Sequence, residues 1–385
     1  MEKSISSRYY LDYNATSPLA KSVKSFLASG DFLFGNPASI HTTGKTAKKY
    51  INETVDFLFN HFKLSPVHFS IVFHSGATEG INTFFKGIAL AQFKNKVKST
   101  FFFSTVDHAS AINLEEDLRV LGHDVYFFSV DKNGDFNREN LIEVIKKVTS
   151  IGMPAILNYT YVNNESGVVW SLEDAVKIKK ETGAIIHVDA VQTIGKINNW
   201  SLLPSELDAY TFSGHKFGAM KSVGFSFINK SVKFSPLIVG GGQQAGLRAG
   251  TENALGIYCL KLALLDMVDE FKPDELLSAK TFIEDMLSTK GEIVGKNAKQ
   301  RNLNTIFVIF NQSNSSDLTT RLDIQGFDVS KGSACSSGIV KENRILLNMG
   351  FSNKESLSAI RFSFSPSLNR EEAQKIATCL QKALK

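Results

Sequence analysis

The stretch Ala184-Ile185-Ile186-His187-Val188-Asp189 is an apolar run that ends in a carboxylate. Further on, Ala209-Tyr210-Thr211-Phe212-Ser213-Gly214-His215-Lys216 is a second apolar run, closed by a hydroxyl, an imidazole and an amine. Read as two adjacent strands, they put an acid and an amine at one edge of a sheet. In open α/β folds that edge is where ligands bind. An acid to face a ring nitrogen and a lysine able to form an imine are what pyridoxal phosphate requires of a protein.

The chain around this pair alternates in type. Ser70 to His74, Thr100 to Ser104, Asp124 to Ser129 and Ala155 to Tyr161 read as short buried strands, like Ile185 to Asp189. Helical patterns lie between them, over Glu79 to Phe93, Ala109 to Leu121, Arg138 to Thr149 and Leu172 to Glu181. Strands alternating with helices imply crossover connections and a mainly parallel central sheet flanked by helices. Gly80 and Gly87 are weak points in the first of these helices. From Gly256 the pattern shifts to a long helical region reaching about Leu287, then a strand over Asn304 to Phe310. Ser316 to Ile324, a Gly/Ser segment around Cys335, a strand over Ile360 to Ser365 and a final helix from Arg370 complete it. The expected architecture is α/β. A large cofactor-binding domain spans 16–255, and residues 1–15 with 256–385 form a smaller α+β domain.

With 385 residues, 43% of them apolar and 21% charged, the chain suits two globular domains. Its 30 phenylalanines point to aromatic burial. Formal net charge is +5 and the pI about 8.8. The basic residues are dispersed, with only small clusters such as Lys94, Lys96 and Lys98. A nucleic-acid binder would show a basic stripe with motif support, so that class is set aside. Cys259, Cys335 and Cys379 have neither metal-ligand spacing nor a disulfide pattern, which fits a reducing compartment. Met1 to Arg8 has no apolar core of a signal peptide, and no apolar run approaches about 18 residues. A cytoplasmic location is the expectation.

Ser75-Gly76-Ala77-Thr78-Glu79 follows a strand and opens a helix, where free N–H groups and the helix dipole favour an anion. The plain alternative is a helix capped by Ser75 or Thr78. Asp189 would keep a pyridine nitrogen protonated, and Gln192 would bond a ring hydroxyl. Both also read as ordinary turn residues. His108, in Val106-Asp107-His108-Ala109, is either structural or stacked on a ring. Cys335 lies in Lys331-Gly332-Ser333-Ala334-Cys335-Ser336-Ser337-Gly338, where small neighbours suggest an exposed loop thiol. Cys259 and Cys379 read as packing residues.

The motifs now in hand resemble those of the cysteine desulfurases, a branch of the fold type I pyridoxal-phosphate enzymes related to class V aminotransferases. They include Tyr10-Leu11-Asp12-Tyr13-Asn14-Ala15-Thr16, Gly35-Asn36-Pro37-Ala38-Ser39-Ile40-His41, Gly76-Ala77-Thr78-Glu79, Val162-Asn163-Asn164-Glu165, His187-Val188-Asp189-Ala190-Val191-Gln192 and Ser213-Gly214-His215-Lys216. Gly240-Gly241-Gly242-Gln243, Leu247-Arg248-Ala249-Gly250-Thr251-Glu252-Asn253, the Cys335 segment and Ile360-Arg361-Phe362-Ser363 follow in order.

The resemblance implies that Lys216 carries the cofactor, and that Ala77, Thr78, Ser213 and His215 hold its phosphate, with Thr251 reaching in from a partner subunit. It implies that Asp189 meets the ring nitrogen, Gln192 the phenolic oxygen, and that His108 stacks on the ring. Asn36 and Arg361 face the substrate, Arg361 as a carboxylate clamp, and Asn164 contacts the cofactor or the bound substrate. Cys335 accepts sulfur as a persulfide. The implied reaction turns L-cysteine into L-alanine. The sulfur passes to an acceptor protein, an iron–sulfur scaffold or a tRNA thiolation enzyme, and the enzyme is a homodimer. Alternatives are a selenocysteine lyase, another class V pyridoxal enzyme, or a degenerate sulfur-carrier scaffold. Ala245, where relatives usually have arginine, Phe217-Gly218-Ala219-Met220-Lys221, and Asn343, where proline is common, depart from the family pattern.

Overall fold

A computed structural model describes residues 8–30, 33–310, 315–332 and 342–384. The first half of the chain runs β1 (Tyr9–Tyr10), α1 (Lys21–Ala28), α2 (Thr42–Phe62), β2 (Phe69–His74), α3 (Ala77–Lys94), β3 (Thr100–Ser104), α4 (Ala109–Ile112), α5 (Glu115–Val120), β4 (Asp124–Phe128), α6 (Arg138–Thr149), β5 (Ala155–Thr160), α7 (Leu172–Thr182) and β6 (Ile185–Asp189). The second half runs β7 (Ala209–Ser213), β8 (Gly224–Asn229), α8 (Ala254–Glu270), α9 (Pro273–Ser288), β9 (Gly291–Ile293), β10 (Thr305–Phe310), α10 (Ser315–Ile324), β11 (Phe327–Asp328), α11 (Arg344–Asn348), α12 (Asn353–Ser356), β12 (Ala359–Ser363) and α13 (Arg370–Ala383).

The central sheet has seven strands in the order β2-β8-β7-β6-β5-β3-β4. From β4 to β7 every pairing is parallel, as apolar strands joined by crossover helices require. One strand departs from the sequence expectation. β8 runs antiparallel between β7 and β2. It returns directly from β7 through a short loop, a connection that needs no helix.

The sheet is covered on both faces. One apolar cluster joins α2, α6, α7 and α8 to it, and a second joins α3 and α5. A third fills the space between α9, α13 and the antiparallel sheet β12-β10-β9. The chain start belongs to this smaller layer. β1 pairs with β11, and Asp12 bridges to Ser363. Ala254, Ile257, Leu260 and Leu264 of α8 lie in the large cluster, so that helix packs on the central layer.

Two elements correct the sequence reading. The helix expected over 109–121 is broken into α4 and α5 at Asn113–Leu114. The long helical region expected from Gly256 to about Leu287 begins at Ala254 and is divided by Phe271, which is extended, and by Pro273 at the start of α9. The two glycines in α3 admit neighbours instead of weakening it. A Cβ on Gly80 would stand 2.5 Å from Nε2 of His74, and one on Gly87 would stand 2.7 Å from the Ser235 carbonyl oxygen.

Candidate active site

β6 and β7 pair in parallel with Asp189 opposite Thr211, so both strands end at one edge. Asp189 is buried there and accepts a bond from the Val191 N–H at 3.1 Å. Burial pushes its carboxyl upward, and His108 and Lys216 oppose that shift. After β7 the chain turns once through Gly214–Lys216, which brings Lys216 back toward Asp189. Its Nζ donates to the carbonyls of Asn14 at 2.8 Å and Ala15 at 2.9 Å. Burial lowers the amine to about 8. Arg361 adds to the shift, while Asp12 and Asp189 resist it. Asp189 and Lys216 line one cavity of about 640 Å³.

The N-terminus of α3 forms another wall. Gly76 is its N-cap and offers no side-chain bond to the first turn, so capping by Ser75 or Thr78 does not occur. Instead the Ser75 N–H donates to Glu79 at 2.8 Å, and Arg248 Nε donates to the same carboxylate at 2.8 Å. Burial alone would raise Glu79. The bonds from Arg248 and Ser75 outweigh it and hold the carboxyl at about 2. Ala77, Thr78, Ser213 and His215 line the cavity beside these free backbone N–H groups.

The structure also gathers His108, Asn164 and Gln192 into this lining. His108 caps α4, and its Nδ1 accepts the Ser110 N–H at 3.1 Å. The neutral ring therefore carries its proton on Nε2. The turn before it is firmly held. Asp107 accepts from Ser104 N–H, Asn158 Nδ2 and Thr160 Oγ1, while Arg344 donates to the carbonyls of Thr105 and Asp107.

Three residues expected near the ligand lie outside the lining. Asn36 is exposed, and its side chain accepts the Ala38 N–H. Thr251 is exposed as well. Arg361 is buried one layer back, bonded to the Asn164 carbonyl at 3.1 Å and to Asp12 at 2.6 Å. Its fork, expected to be open for a substrate carboxylate, is engaged by an internal one. Cys335 lies outside the described residues.

Sequence reasoning missed two residues. The Asn14 carbonyl accepts both Lys216 and Gln192, and Lys196 is fully buried against Gln192. Asn14 lies within a quoted motif, but its side chain has no titratable group to draw notice. Lys196 resembles any solvated lysine until the fold buries it.

Comparison with known proteins agrees with this geometry. The aminotransferase class-V family model matches residues 9–376. A protein named cysteine desulfurase 2 from Trichormus variabilis is 33% identical over 372 residues, which cover 95% of this chain and 90% of that one. Cysteine desulfurase IscS from Dictyoglomus turgidum is 31% identical over 97% of this chain and 94% of its own. Among solved structures, a NifS-like protein superposes with a TM-score of 0.86 at 28% identity, covering 98% of this chain and 99% of that one. The structure titled SspA in complex with cysteine matches with a TM-score of 0.79 at 25% identity, covering 94% and 99%. The chain therefore belongs to the aminotransferase class-V family, and within it to the cysteine desulfurases.

Proposed function

We propose that the protein is a pyridoxal-phosphate-dependent cysteine desulfurase that takes sulfur from L-cysteine, releases L-alanine and passes the sulfur to an acceptor protein. The observation that carries this reading is the meeting of Asp189 and Lys216 in one cavity with the uncapped start of α3.

The residues present fit the cofactor. The first-turn N–H groups of α3, with Thr78, Ser213 and His215, form a donor set for a dianionic phosphate. Asp189, with a single backbone donor, suits a protonated ring nitrogen. Lys216 is an amine lowered toward neutrality, as imine formation needs. Bound there, the cofactor supplies an electron sink for cleavage beside the substrate Cα.

The chain's own groups do the rest. Lys216 Nζ takes the Cα proton of the bound amino acid, since an amine near 8 is partly free at neutral pH and mostly free above about 8. His108 holds a proton on Nε2 at the cavity face. Arg361 meets the substrate carboxylate when Asp12 yields its place. The Cys335 thiolate attacks the substrate sulfur. The new S–S bond forms as the C–S bond breaks, and the electron pair left on carbon takes a proton to give alanine. Thr251 lies outside its own chain's cavity, so phosphate binding by this residue requires a second copy, and we propose a homodimer. The acceptor is an iron–sulfur scaffold or a tRNA thiolation enzyme.

The test is incubation of the purified, cofactor-loaded protein with L-cysteine, followed by alanine assay and peptide mass analysis. One added sulfur on Cys335 with matching alanine is the expected result. Loaded protein that releases no alanine overturns the reading. Running selenocysteine and cysteine sulfinate in parallel separates the related lyases. In Cys335→Ser, cofactor binding persists and persulfide is lost. Undiminished sulfur release from that variant would remove Cys335 from the reaction.

A further inference from the structure

Lys196 is the most deeply buried amine of the site region, with 1% of its surface exposed, and the reaction above does not use it. The chain turns through Thr193 to Lys196 just after Gln192. Lys196 N–H donates to the Thr193 carbonyl, and its own carbonyl accepts the Leu303 N–H at 2.8 Å. Its Nζ donates to Oε1 of Gln192. Burial, with Lys216 and Arg361 nearby, lowers this amine well below the usual lysine range.

A carbonyl oxygen can only accept, so the Asn14 carbonyl calls for Nε2 and the donating Lys196 Nζ calls for Oε1, and the two together fix which way the Gln192 amide faces. Oε1 points to Lys196. Nε2 then donates to the Asn14 carbonyl, 3.0 Å away, and Gln192 is among the residues that line the cavity. One Nε2 proton goes to Asn14, and the other is left for an acceptor in the cavity. The same Asn14 carbonyl holds Lys216. With the amide reversed, Oε1 would face the Asn14 carbonyl and present a second acceptor to the cavity.

We propose that Lys196 is a positioning residue that locks the Gln192 amide so that its N–H faces the cavity, selecting a ring oxygen acceptor on the cofactor. The inference rests on the pyridoxal-phosphate reading above. A buried lysine with one polar partner costs stability that leucine or methionine at the same place would not. Orientation of Gln192 is the return the geometry offers.

The experiment compares apoproteins of the wild type, Lys196→Met, Gln192→Ala and the double variant. It reads the dissociation constant of pyridoxal phosphate, the position of the bound cofactor's visible band, and the urea midpoint of each apoprotein. Lys196→Met keeps the stem volume and is expected to fold. It should bind the cofactor about tenfold more weakly and shift the visible band, as loss of one oriented hydrogen bond implies. On the Gln192→Ala background the same change should add less than about twofold, since its effect runs through Gln192. Equal affinity and an unmoved band in Lys196→Met, or full additivity in the double variant, would overturn the inference. If Lys196→Met fails to fold, Lys196→Gln serves as the second variant. For that variant a weakening that disappears on the Gln192→Ala background supports the inference, and wild-type affinity or a weakening of the same size on both backgrounds overturns it. A wild-type apoprotein that binds no pyridoxal phosphate would instead sink the functional reading.

Discussion

Lys216 shows how a lysine's surroundings determine its use. It is an ordinary amine with a pKa near 10.4 in water. Here desolvation and the Arg361 charge bring it to about 8, against the pull of Asp12 and Asp189. A lowered lysine is mostly protonated below that value and mostly free above it. The rate at which apoprotein captures pyridoxal phosphate should therefore rise with pH and level off above about 8, not near 10. Stopped-flow absorbance across pH 6 to 10 reads this directly. A midpoint near the ordinary lysine value would mean that the site does not desolvate the amine. The sequence disclosed Asp189 and Lys216 because each closes an apolar run. It could not disclose that Arg361 would be paired with Asp12, since that contact joins residues from opposite ends of the chain.

At the scale of elements, α3 carries the phosphate end of the site, and its seating depends on His74. That ring lies between Gly80 and Gly224. A Cβ on Gly80 would come within 2.5 Å of its Nε2, and one on Gly224 within 2.7 Å of its Cε1. In an exposed helix Gly→Ala stabilises by about 1 kcal/mol. At Gly80 the collision with a fully buried imidazole wins, because overpacking costs about 1–3 kcal/mol and the ring has no room to retreat. Gly80→Ala should thus lose about 2 kcal/mol of stability by urea unfolding and bind cofactor more weakly. Gly122→Ala, whose Cβ meets nothing within 4 Å but whose φ of +84° strains an alanine locally, should lose stability and leave cofactor binding intact.

The inner parallel strands are legible because each is a short apolar run buried on both faces, and β4 at the edge because its run is still mostly aromatic and aliphatic. The 21-residue α2 is not evident in the sequence, although Ala47, Ile51, Leu58 and Phe62 of its buried face repeat at helical spacing. Its interleaved lysines, threonines and glycine hid the stripe. β8 escaped because Gly224-Phe225-Ser226-Phe227 follows the site lysine closely, and nothing local marks a strand that reverses direction.

Across the whole molecule, one chain of hydrogen bonds crosses the sheet beneath the cavity. Asn158 Nδ2 donates to the buried Asp107 carboxylate at 2.8 Å, so Asn158 Oδ1 must accept from His187 Nδ1 at 2.9 Å. His187 Nε2 then accepts from the Thr211 hydroxyl, which bonds Ser226, which in turn meets His74 Nε2 at 3.0 Å. From Asn158 onward these residues come from β5, β6, β7, β8 and β2, neighbours in that order, so the chain ties the antiparallel edge to the parallel core. Phe84 and Phe85 of α3 pack on His187 and keep water from it.

The chain requires His187 to stay neutral. Burial holds it at about 3, with His74 adding to the shift, and burial holds His74 at about 4. Both lie below the unfolded value near 6.5, so the unfolded state binds more protons as pH falls through 6.5, and stability is lost on acidification. Asp107 acts in the opposite sense. Burial raises it to about 6, and the folded state gains protons there before the unfolded one does. Two histidines against one carboxyl contribute a net loss of roughly 2 kcal/mol between pH 7 and 5, and His215, which burial also lowers to about 4, adds in the same direction. Equilibrium unfolding in urea at the two pH values should show it. In His187→Gln, which can still bridge Asn158 and Thr211, that acid-dependent loss should shrink by about 2 kcal/mol, because one buried histidine alone accounts for that much. An unchanged pH dependence in the variant would mean that His187 titrates normally and that the chain across the sheet does not constrain its proton.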